Sequence, residues 1–240
     1  MTMVCLRPRA EYIFFIIPKT TILNSFIGSA VLLTCLPYRK LYDAAKTSPI
    51  YLEIVLAMVY GLRRSEVLGL RWSCVDFEKR LIKVNLSVTR VNGEFYFNEA
   101  MKTDGSIRKL ELNDTMVKFL QEVRRKQQEI KETVGDFYST EYEDFICVDY
   151  FGELHKPDYI SSKFNEIIKE NGFPYLTFHG LRHSFITILL EQRFPLKAVK
   201  RAAGHEILST TLDYSDVSEE VSMNMINVTS SFLLEEDGDE

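Results

Sequence analysis

A histidine, an arginine and a second histidine fall within five residues at His179, Arg182 and His183. In a helix, spacings of three and four put all three on one face. Two histidines four apart invite a zinc reading. However, Gly180 stands where such a helix carries its glutamate, and the cation of Arg182 repels a metal ion. A histidine beside a guanidinium is electrostatically poor unless an anion lies between them. Phosphate suits the pair best, because arginine binds two oxygens in a planar fork and histidine donates a hydrogen bond or moves a proton near neutral pH. Alone, the HxxR spacing favours a surface helix with incidental polar residues.

Two further segments carry polar side chains in compact patterns: GLRRSE at 61–66 and GHEILSTTLDY at 204–214. The elements that must position them are largely helical. Residues 38–46 and 51–60 read as helices parted by Ser48-Pro49, and a short helix follows at 65–70 with Ser65 as its cap. Residues 80–112 have strand texture: RLIKVNLSVTRV, a hairpin turn at Asn92-Gly93, EFYFNE, then IRKLEL. Asn113-Asp114 can cap a helix running to about residue 133, and further helices are predicted at 157–170, 179–192, 196–203, 208–213 and 217–228. The predicted fold is mainly α with one small three-stranded antiparallel β-sheet.

Composition sets the broad class. Hydrophobic residues at 46% and charged residues at 26% fit a soluble globular protein. Cys5, Cys35, Cys74 and Cys147 are scattered, which speaks against a disulfide framework or a zinc site and fits a reducing cytosol. The formal charge of −5 becomes 0 without the acidic end at 235–240, so charge neither supports nor excludes nucleic acid. The tail at 233–240 is predicted to be solvated and disordered. Residues 12–36 are apolar, but Pro18, Lys19 and two threonines split the run below the roughly 20 residues of a membrane span. A buried or poorly ordered extension is the simpler reading. Residues 1–36 are expected to be a lead-in outside the domain at 37–232, packing weakly if they were spliced on.

The motifs in order resemble one family. HGLRHSF, then GH, then TTLDY is similar to the HxxR…GH…Y signature of tyrosine recombinases of the phage integrase family. GLRRSEVLGLRW resembles their first arginine motif, and MKTDGSIRKLEL their lysine-bearing β-hairpin. Each motif is weak alone; four in order over residues 37–230 are specific.

The resemblance implies a catalytic-domain fold and a set of roles. Arg63 and Arg182 would clamp the non-bridging oxygens of the scissile phosphate, and Glu66, three residues after Arg63 on the same helix face, would help hold the site together. Lys102 would protonate the departing 5′ oxygen, with Lys109 as a rival on the same hairpin. His179 would assist proton transfer at the nucleophile, His205 would donate to the phosphate, and Tyr214 would attack phosphorus. No metal and no cofactor are implied. The implied partner is double-stranded DNA, bound as a tetramer by a chain monomeric off DNA, with accessory DNA-bending or excision proteins, in the cytoplasm and without a membrane. Integration or excision of a mobile element would follow. Gly180, and Ser215-Asp216 after the tyrosine, depart from the pattern. Full-length members carry an N-terminal DNA-clamping domain that 36 atypical residues do not supply, so the alternative is a truncated, non-recombining DNA-binding remnant or regulator.

Overall fold

The computed structural model describes residues 2–6, 13–17, 35–99, 108–204 and 218–233. The chain divides into two units, residues 1–30 and 31–240. In the first, β1 (Thr2–Leu6) pairs antiparallel with β2 (Ile13–Ile17), Thr2 opposite Ile17 and Leu6 opposite Ile13. The sequence reading assigns no element there, because a short apolar run does not by itself distinguish strand from buried helix.

The second unit is built round one helix. In α2 (Tyr51–Tyr60) every residue from 53 to 60 is buried, and the side chains from 54 to 59 are fully so. Each leucine, isoleucine or valine there contributes roughly 1.5–3 kcal/mol of burial. Helix C-termini leave carbonyls without intrahelical donors, and in a dry core each needs a partner. Three neighbours supply them. Tyr38 of α1 (Cys35–Ala45) donates to Met58 O at 2.6 Å, and Thr229 of α8 (Glu219–Ser230) donates to Val59 O at 2.8 Å. Arg182 of α6 (Phe178–Glu191) donates to Gly61 O at 2.8 Å. The end of α2 is therefore fixed by hydrogen bonds from three helices, and the site grows from that end.

The sheet differs from the sequence reading. The stretch 80–91 reads as one strand, but it divides at Asn85 into β4 (Leu81–Val84) and β5 (Leu86–Val91). β4 lies between β3 (Val75–Asp76) and β7 (Arg108–Glu111) in a three-stranded antiparallel sheet, with Ile82 opposite Leu110. β5 instead pairs with β6 (Glu94–Glu99) in a separate hairpin, Val91 opposite Glu94. The division coincides with a close approach: a Cβ on Gly69 would stand 2.2 Å from Leu86 O. There the strand passes directly over the end of α3 (Arg64–Leu68). α3 also starts one residue before its predicted position, with Arg63 rather than Ser65 at its N-cap.

The remaining helices follow the predicted spans closely. Asn113 caps α4 (Asp114–Val134), accepting from Met116 N at 2.9 Å. The same side chain donates to Asn227 and Ser230 of α8, both at 2.9 Å, tying the two helices together. α5 (Pro157–Glu170) carries its proline in the first turn. α6, α7 (Leu196–Ala203) and α8 share a smaller core of Phe185, Leu189, Ala198, Val199, Ala203 and Met225. The predicted helix at 208–213 and residues 234–240 of the acidic tail lie outside the described residues. Among the described residues no helix is long and apolar enough to cross a membrane.

Candidate active site

Gly61 ends α2 in the left-handed conformation (φ 60°, ψ 31°), and its N–H closes on Ala57 O at 3.0 Å. A Cβ there would stand 2.4 Å from Phe185 Cδ1, so glycine permits both the turn and the approach of α6. Across that approach Arg182 reaches Gly61 O. Arg182 is 2% exposed, and its Nη2 is buried with no hydrogen-bond partner among the described residues. An unpartnered buried donor is costly, so one aimed by its own guanidinium is informative.

Two residues further on, Arg63 caps α3 with extended backbone (φ −68°, ψ 149°). Its backbone N–H donates to Glu66 Oε2 at 2.8 Å, and its Nη1 donates to Glu66 Oε1 at 2.8 Å. Arg63 therefore lies outside the helix whose face it was expected to share with Glu66. The carboxylate folds back over the helix start, where it caps an orphan N–H. Its second oxygen also accepts from Arg108 Nη2 at 3.1 Å. Glu66 is thus a half-buried hub for two arginines rather than a surface side chain.

Three guanidiniums gathered round one carboxylate need further compensation. Burial, and then the charges of Arg63 and Arg108, push Arg182 down to about 10, with Glu66 opposing. It remains charged at neutral pH. Burial and Arg63 likewise lower Arg108, again against Glu66. Burial alone raises the Glu66 carboxyl, but Arg108 and Arg63 outweigh it and hold it below the ordinary carboxylate range. The rest of the compensation comes from two helix ends. Gly204 ends α7 in the left-handed conformation (φ 65°, ψ 43°), and its carbonyl accepts from Arg63 Nη2 at 3.3 Å. Gly61 O does the same for Arg182. A helix C-terminus carries up to about half a negative charge, so both ends favour a guanidinium.

His179 lies in the first turn of α6, which is capped by Thr177 Oγ1 accepting from Gly180 N at 3.1 Å. Its ring stands edge-on to His183, with centroids 5.0 Å apart. Among the described residues no group of three or more ligating side chains accompanies this pair. His179 and Arg63 share a cleft of about 550 Å³ with Arg64, Thr89, Arg90 and Ser161. Arg64 is anchored there by Pro157 O at 2.9 Å and by the Ser161 hydroxyl.

Of the predicted site residues, the structure brings Arg63, Glu66 and Arg182 together and puts His179 in the cleft beside Arg63. Lys102, His205 and Tyr214 lie outside the described residues. Lys109 is exposed and sits opposite Lys83, on the outer face of its strand. Arg108, assigned no role from sequence, belongs to the inner set. A signal for it was present, because Arg108, Leu110 and Leu112 share the parity that a pleated strand turns inward.

The fold, mainly helical with small antiparallel sheets, is that of a tyrosine recombinase catalytic domain. Residues 33–220 match the phage integrase family, and the chain belongs to it. A tyrosine recombinase XerC-like protein of Caldanaerobacter subterraneus subsp. tengcongensis is 28% identical over 206 residues, covering 82% of this chain and 53% of that protein. The ICEBs1 integrase of Bacillus subtilis is 28% identical over 158 residues, covering 66% and 42%. The chain spans about half the length of these relatives. In fold it is similar to the Tn1549 transposon integrase, solved in complex with a circular intermediate DNA, with a TM-score of 0.63 and 22% identity over 88% of this chain and 63% of that one. The XerA recombinase gives a TM-score of 0.57 with 20% identity over 82% and 64%.

Proposed function

We propose that the chain is a site-specific DNA recombinase that cuts and rejoins strands through a covalent 3′-phosphotyrosine, serving integration or excision of a mobile element. The observation that carries the reading is the cationic cluster of exposed Arg63, largely buried Arg108 and buried Arg182. Among the described residues one carboxylate leaves it short of negative charge, and Arg182 Nη2 has no partner there. Donors held in place without water stabilise charge as it develops. A phosphodiester gains charge as it becomes pentacoordinate, which suits arginine forks on its non-bridging oxygens.

In this mechanism Tyr214 attacks phosphorus while His179 assists removal of the phenolic proton. The bond to the 5′ oxygen breaks as Lys102 delivers a proton to it, and His205 donates to a phosphate oxygen. The product is a phosphodiester on Tyr214 and a free 5′ hydroxyl, and attack by another 5′ hydroxyl reverses the step. Bond energy is kept, so no ATP is needed. The arginines supply the positive charge that a divalent ion supplies elsewhere, and the reaction proceeds without metal. The relatives include transposases of Tn916 and Tn1545, which support the mobile-element role. The substrate is double-stranded DNA, held by four copies in the assembled complex. The chain is monomeric off DNA and acts in the cytoplasm with accessory DNA-bending or excision proteins.

The test is a nicked duplex carrying the element's end, from which the cleaved fragment escapes and cannot religate. Wild type should accumulate a protein–DNA adduct stable to denaturant, and Tyr214→Phe should not. A wild type that binds this duplex but never forms the adduct would mark the chain as a non-recombining DNA binder.

A further inference from the structure

We infer that Arg108 is a positioning residue for the cleavage reaction, clamping the Gly204 turn, which leads into His205, onto the Glu66–Arg63 pair. The inference rests on the phosphoryl-transfer reading above. Arg108 opens β7, and its side chain is 14% exposed. One edge of its guanidinium, Nη2, donates to Glu66 Oε2. The other edge faces the end of α7, where a Cβ on Gly204 would stand 2.0 Å from Arg108 Nη1. A side chain at Gly204 would have to displace the Arg108 guanidinium. Arg63 grips the same turn from its own side through Gly204 O.

The consequence is geometric. Glu66 holds two arginines, Arg63 bonds the Gly204 carbonyl while Arg108 packs against that glycine, and the chain continues from Gly204 directly into His205 and on to Tyr214. Arg108 thus ties two parts of the site that come from distant sequence. One part is the Gly61–Glu66 segment beneath the phosphate, and the other is the segment that delivers the histidine and the nucleophile. Burial of Arg108 Nε without a partner among the described residues shows that this placement is costly. Lys109, next in sequence, is exposed on the opposite face of the strand and serves as a control for the exchange measurement.

The experiment compares wild type, Arg108→Gln, Arg108→Lys, Glu66→Gln, the Arg108→Gln/Glu66→Gln double variant and Lys109→Gln in the full chain. It measures single-turnover adduct formation at saturating nicked duplex, and duplex Kd separately. Arg108→Gln should slow adduct formation about 10- to 100-fold, the scale of a small misplacement of reacting groups. Duplex Kd should shift less than about threefold, since the effect acts on k and not on binding. Arg108→Lys should recover only part of the rate, because one ammonium cannot hold Glu66 and face Gly204 as a fork does. The double variant should lose no more than its worse parent, as expected for residues acting as one unit. An unchanged rate, a loss confined to Kd, or losses that multiply would overturn the proposal.

A second readout needs no catalysis. Backbone amide exchange over residues 199–204 should quicken in Arg108→Gln and stay unchanged in Lys109→Gln. Unchanged exchange in Arg108→Gln overturns the clamp even if wild type forms no adduct, so the two failures are distinct. If Arg108→Gln does not fold, Arg108→Lys carries both measurements.

Discussion

Arg182 shows how much a single side chain can be asked to do. It spends one nitrogen on the end of α2 and leaves another buried with no partner among the described residues. Arg182→Met should therefore abolish most chemistry while changing stability little. Losing one fixed donor to the developing charge is worth about 10²- to 10³-fold in cleavage rate. In stability, the donor lost at Gly61 O is offset by relief of burial and of like charge beside Arg63 and Arg108. A net change within about 1 kcal/mol in urea melts is expected, as for replacement of other buried charges by apolar groups. Destabilisation beyond about 3 kcal/mol would make Arg182 a structural residue first. The HxxR spacing put Arg182 on one helix face with His179, but only the motifs in order distinguished it from a surface side chain. Arg63 and Glu66 were legible only as a motif. Their geometry was not, since no periodicity announces that a helix begins between them. Arg108 was hidden by its neighbour Lys109, although strand parity separates the two.

Among the elements, α2 sets the tolerances. Gly61→Ala places a Cβ 2.4 Å from Phe185 Cδ1 at φ 60°. It should cost about 1–3 kcal/mol, the range for a non-glycine residue forced into the left-handed region. Because α6 must withdraw, cleavage should fall by more than the loss of folded protein; an equal fall would show that α6 carries no precise placement. Behind the site, Glu53 of α2 pairs with His155, just ahead of α5, and both are buried. Burial alone lowers the His155 pKa, but Glu53, aided by Asp149, raises it above its ordinary 6.5. A raised folded pKa contributes stability that is full below the unfolded value and lost as pH rises through the folded one. Wild type should lose stability as pH rises from the ordinary histidine value of about 6.5 through the raised one. His155→Gln should be less stable at pH 6 and flatter across that window, checked by denaturant melts at each pH. Helix spans such as that after Asn113 and 157–170 were readable because the asparagine cap and the first-turn proline are local signals. The break at Asn85 was not, because a strand changes partners for tertiary reasons. RLIKVNLSVTRV has strand texture throughout, and only the packing of Leu86 over Gly69 divides it.

At the largest scale, a fold built round one buried helix carries a cationic cluster at that helix's end. With the arginines supplying the positive charge, as proposed, adduct yield in excess EDTA should equal that in magnesium; a requirement for metal would remove the role given to them. The central claim is that Tyr214 is the residue joined to DNA, and the sequence permits a clean measurement of it. Arg201 is the last basic residue, so trypsin releases residues 202–240 as one peptide in which Tyr214 is the only tyrosine. Digestion of the adduct from the nicked duplex, followed by mass spectrometry, should find the nucleotide remnant on that peptide, at the phenol of Tyr214. A remnant on any other peptide or residue, or an adduct that persists in Tyr214→Phe, would contradict the account.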